Sequence, residues 1–83
     1  MTPEAEIRRA NQAQMILDDP LVKGALEELR ARVISQFRDC PVENDGLRYR
    51  LQVMLNMIDH FERLLREHIE TGHFAAAQLG MES

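Results

Sequence analysis

Residues 46–71 read GLRYRLQVMLNMIDHFERLLREHIET, and their pattern decides the fold. Leu47, Leu51, Met54, Ile58, Phe61, Leu65 and His68 recur at alternating steps of four and three residues. That is a heptad seam, the mark of a helix packed lengthwise on another helix. Gly72 is placed to end this helix as its C-terminal cap. Beyond it, 73–79 reads as a short C-terminal turn and Met81–Ser83 as loose chain. A second stripe, Tyr49, Val53, Met57, His60 and Leu64, runs along another side of the same helix, with Leu55 close to both. One neighbouring helix does not cover so wide an apolar arc. Either the first helix folds across this surface or other subunits cover it, and Tyr49, Val53, Met57 and Leu64 are the expected self-association interface, because apolar patches of this kind mark contact surfaces.

Working back along the chain, Cys40-Pro41-Val42-Glu43-Asn44-Asp45 is a loop, with Asn44 or Asp45 able to cap the long helix. A second helix is expected over 20–38. Its apolar positions are Val22, Ala25, Leu26, Leu29, Val33, Ile34 and Phe37, and its opposite face carries Lys23, Glu27, Glu28, Arg30, Arg32 and Arg38. Asp18-Asp19-Pro20 fixes where it begins. Asp19 is a strong N-cap, Pro20 suits the first helical position, and a residue before proline resists helical angles. A shorter first helix over 3–18 ends there. Its stripe, Ile7, Ala10, Ala13, Ile16 and Leu17, is thin and rich in alanine, so its first turns fray unless another surface covers them. Residues 1–83 thus read as a single all-α domain: an antiparallel, coiled-coil-like helical hairpin with a shorter N-terminal helix, expected to be oligomeric. At about 1.5 Å per residue the third helix outruns the second, which leaves one of its ends open to outside contacts. Gly24, inside the second helix, reads equally as a tight helix crossing or as a tolerated surface glycine.

Composition narrows the function classes. Among 83 residues, ten Lys/Arg stand against fourteen Asp/Glu, a net charge of -4, which argues against strong sequence-independent nucleic-acid binding. Nonpolar residues at 45% with charged residues at 29% belong to a folded chain and not to a disordered one. No window approaches the roughly 18 apolar residues of a membrane span, and residues 1–20 lack the apolar run of a signal peptide. With Cys40 alone, no internal disulfide or cysteine-based zinc cage forms. A chain of this size buries only about 60% of its unfolded surface, so a partner, most simply another copy, is the natural source of extra stability.

The residues that carry chemistry are sparse. His60, His68 and His73 are spaced by eight and five residues, whereas two ligands on one helical face want four. Glu70-Thr71-Gly72-His73 has the spacing of a di-iron helix motif, but a helix stop at Gly72 divides it. Cys40 lacks a partner base and reads as a free loop thiol. Ser35 has no elbow around it, and Asp59 and Glu62 are expected to pair with Arg63 and Arg66 on a solvated face. The expectation is no enzyme, no metal and no cofactor. Arg30, Arg32 and Arg38, with Arg48 and Arg50 across the loop, make the one region of basic excess; it reads first as a mixed helical surface, and Arg30, Arg32, Arg48 and Arg50 are the candidate contact for nucleic acid or for an acidic partner.

The order of an alanine-rich helix, Ile16-Leu17-Asp18-Asp19-Pro20-Leu21, an amphipathic helix, a short proline-containing loop, a long helix and Glu70-Thr71-Gly72-His73-Phe74-Ala75 resembles short proteins of the head-assembly and DNA-packaging region of tailed phages and prophages. Within that group it is similar to the oligomerisation core of a small terminase subunit, without the separate DNA-binding helix-turn-helix domain. The resemblance implies a non-enzymatic phage assembly protein in the cytoplasm of an infected or lysogenic bacterial host. It implies a homo-oligomer whose partner is the large terminase subunit or another head protein, docked at Phe74 and Leu79. DNA binding is weak at most, and no membrane is involved. The alternative is a small acidic phage-encoded inhibitor or adaptor that binds a host protein.

Overall fold

Thr2 opens the first helix by accepting a hydrogen bond from the Ala5 backbone N–H at 3.2 Å, and Pro3 follows in the first helical position. In the computed structural model, which describes residues 2–80, this helix, α1, spans Pro3–Asp18. Asp19 has extended backbone angles, as a residue before proline should, and ends α1 with its N–H on the Ile16 carbonyl. The same residue starts α2, Pro20–Asp39, by accepting from the N–H groups of Leu21 (2.8 Å) and Val22 (3.2 Å). Two helices therefore share one capping residue and no loop. Cys40 ends α2, and Asn44 caps α3, Asp45–Gln78, by accepting from the Leu47 N–H at 3.1 Å. The chain is all-α, with no strand among the described residues. Met81–Ser83, expected to be loose, lie outside them.

α1 and α2 run one after the other, both antiparallel to α3. Ala10 of α1 lies against Gly72, while Arg30 of α2 reaches Asp59 and Glu62. The lengths agree. Helices of 16 and 20 residues add to about 54 Å, against about 51 Å for the 34 residues of α3. The molecule is accordingly a rod of 56 × 23 × 19 Å, a hairpin with one arm bent at Asp19. This corrects the expectation that α3 has an uncovered end: α1 lies along its C-terminal part.

α3 does not stop at Gly72. It continues through the expected 73–79 turn as far as Gln78, and the positive-φ glycine that follows it is Gly80, at φ 69°. No proline interrupts 70–78, and Ala75, Ala76 and Ala77 are strong helix formers. Gly72 serves packing instead. A methyl built there would overlap the Ala10 methyl and stand 3.1 Å from the Glu6 carbonyl oxygen. The tight crossing offered as one reading of Gly24 is here; at Gly24 an added methyl meets nothing within 4 Å.

The buried seam of α3 is also turned relative to the sequence pattern. Leu51 and Ile58 are buried and Leu65 half-buried, as the heptad requires. The positions between them are Leu55, Glu62 and Ile69, all half-buried; Leu55 and Glu62 take the place of Met54 and Phe61, while the expected His68 is half-buried beside Ile69. Val33, Leu51 and Ile58 form the core cluster, with Leu26, Phe37, Cys40, Leu47 and Leu55 packed around it. Met54 and Phe61 are left 42% and 46% exposed.

Candidate functional site

The rotation of the seam determines what α3 offers to solvent. Val53, Met54, Met57, Phe61 and Leu64 are all exposed and lie on adjoining turns of one helix. Beside them a groove of about 460 Å³, lined almost wholly by apolar side chains, opens between α2 and α3. Leu26 and Leu29 form its α2 wall, and Val53, Met54, Met57, Ile58 and Phe61 its α3 wall. Of the expected self-association residues, Val53, Met57 and Leu64 lie in this strip. Tyr49, 71% exposed, lies one turn before Val53. Met54 and Phe61 belong to the same surface, although the heptad reading assigned them to the interior. Their signal was the width of the apolar arc, which exceeds what one neighbour covers.

The four candidate arginines do not form one basic patch. Arg30 is not on the outer face of α2. It occupies a seam position between Leu26 and Val33, half-buried, with its guanidinium 2.9 Å from both Asp59 and Glu62. Its pKa is raised above the ordinary arginine value, chiefly by the hydrogen bond to Glu62 and then by that to Asp59. Glu62 also meets Arg66 at 3.4 Å. Asp59 and Glu62 thus pair with the other helix, and only Arg66 of the two expected partners takes part. Arg48 donates to Asp45 and to the carbonyls of Pro41 and Val42, which ties down the loop. Arg32 pairs with Glu28 on its own helix. Arg50, exposed, makes no ion pair among the described residues. Arg30 sits level with residues 59–62, about 17–21 Å along α3 from Arg48, so the four do not gather at one end.

Cys40 is more than a loop thiol. It is the C-terminal cap of α2, half-buried against the core, with Sγ 3.5 Å from the Pro41 carbonyl oxygen and 3.7 Å from that of Asn44. Because α3 continues, Glu70 and His73 stand one turn apart on the same helix, and both border a polar cleft of about 630 Å³ where the three helices meet. Lys23, Arg30 and Arg66 share that cleft with Asp18, Glu27 and Glu62, so its charges largely offset one another. Among the described residues, no three His, Cys, Asp or Glu side chains come together as a metal site. Phe74, 68% exposed, and Leu79, 43% exposed, lie at the far end of α3 from the α2–α3 loop. No described helix is long and apolar enough to cross a membrane. Comparisons with protein-family models, with curated proteins and with solved structures find no match to this chain.

Proposed function

We propose that this is a non-enzymatic interaction protein that self-associates through the outer face of α3. The observation that carries the reading is the exposed strip Val53, Met54, Met57, Phe61 and Leu64, continuous with an apolar groove. Surface area supports it. The chain exposes 6315 Å², about 1,200 Å² more than a compact monomer of its mass. A stable interface covers about 800 Å² on each partner. The radius of gyration, 17.5 Å against about 12 Å for a compact chain of this length, tells the same story.

In this reading the biological setting is the one implied by the phage resemblance: DNA packaging or head morphogenesis in a bacterial host, with small-terminase-like oligomers. Phe74 and Leu79 would dock the large terminase subunit or another head protein. DNA contributes little, since Arg30, Arg32 and Arg48 are engaged within the chain. Light scattering over a concentration series is expected to give a dimer or larger species, and Val53→Glu with Met57→Glu a monomer. A wild-type monomer at high concentration would overturn self-association and favour the host-directed adaptor. Gene deletion followed by separate counts of empty and DNA-filled heads tests the setting. Normal numbers of filled, infectious particles would reject a packaging role.

A further inference from the structure

We infer that the occupant of the α3 face is the α3 of a second copy, running antiparallel about a two-fold axis that passes close to Ile58; this rests on the self-association proposed above. The strip is nearly its own mirror along the helix. About the point between Ile58 and Asp59, Val53 lies as far to one side as Leu64 to the other and Met57 matches His60, while Met54 and Phe61 flank this seam. Reversing one helix against another therefore sets Val53 opposite Leu64 twice and Met57 beside His60 twice, a self-complementary contact of the kind an isologous interface requires. Charge then selects the direction. Arg50 follows the strip at one end and Glu67 at the other, both exposed and neither in an ion pair among the described residues. Antiparallel pairing brings Arg50 beside Glu67 of the second copy, twice. Parallel pairing stacks Arg50 on Arg50 and Glu67 on Glu67, and like charges at flanking positions oppose association. The groove lined by Leu29, Met54 and Phe61 adjoins the strip on the α2 side and receives the bulky flanking side chains of the second copy.

The test is charge reversal in the full chain, read by analytical ultracentrifugation at low salt. Arg50→Glu and Glu67→Arg, each alone, are expected to weaken the dimer about tenfold, and the double variant to restore it. Circular dichroism on each variant checks that the helices are intact; both positions are exposed, so folding is expected to survive. As a second measurement, Val53→Cys with Leu64→Cys in a Cys40→Ser background should cross-link between copies under mild oxidation. A wild-type dimer or larger assembly indifferent to both single reversals, with no such cross-link, would overturn the antiparallel arrangement and leave self-association standing. A wild-type monomer would overturn both.

Discussion

The two ends of the hairpin are built by opposite means. Where α1 meets α3, the residues are Ala10, Ala13, Gly72 and Ala75, all buried, and the backbones lie close together. Where α2 meets α3, the residues are Val33, Phe37, Leu51, Leu55 and Ile58, and the backbones stand farther apart. Side-chain size at the contact sets the spacing of two helices. Small residues give a close, self-sufficient junction in which Ala75 is wholly covered. Large residues hold α2 off, fill the middle, and leave apolar side chains along the edges of the gap. The lesson is that the α2–α3 contact, which holds the core cluster, leaves an apolar groove open beside it, while the α1–α3 contact is fully covered although Phe74 near it stays exposed.

The sharpest way to break this contrast is Gly72→Ala. On an isolated helix the change should help, but here the new methyl collides with Ala10, so unfolding is expected to lose about 2 kcal/mol. Faster tryptic cleavage at Arg8 and Arg9 should accompany it as α1 lifts away. Unchanged stability would mean that the close junction is not a constraint. At the other end, Arg30→Met removes a half-buried guanidinium and leaves Glu62 with Arg66 alone; about 1–2 kcal/mol is expected to be lost in urea unfolding. Adding Glu62→Met should recover most of that, because an apolar pair replaces an ion pair in the seam at little cost. A double variant no better than the single would show that the charges organise the junction beyond their pairing. The smallest effect sharpens the first comparison. Gly24→Ala meets open space, so the same substitution that harms position 72 should stabilise by up to about 1 kcal/mol, visible as a higher Tm.

The helical class and the junctions were legible because capping is local. Thr2-Pro3, Asp19-Pro20 and Asn44 act on neighbouring N–H groups, and each lies where its chemistry requires. The angular position of the seam was not legible. Met54 and Phe61 are as apolar as Leu55 and Ile69, so periodicity alone allows either edge of a wide arc to turn inward. The choice depends on α2, whose Arg30 needs Glu62 opposite, and on α1, whose alanines need Gly72. Both are contacts between residues distant in sequence. Gly72 misled for the same reason: a glycine that ends helices when judged locally is a packing residue when a second helix is present. Of the candidate site, Val53, Met57 and Leu64 were readable as surplus apolar surface, whereas the dispersal of Arg30, Arg32 and Arg48 into separate ion pairs depends on the fold.

The shared cap at Asp19 also limits how a chain of this design can change length. With no loop between α1 and α2, both arms keep step with the one continuous helix opposite. A single residue inserted between Glu62 and Ile69 would turn everything beyond it by about 100°, carrying Gly72 away from Ala10. Seven inserted residues return the faces to within about 20°, but only if the opposing arm gains seven as well. Such a molecule can grow or shrink only in matched steps of two turns on both arms, so indels should be found in the 40–45 loop.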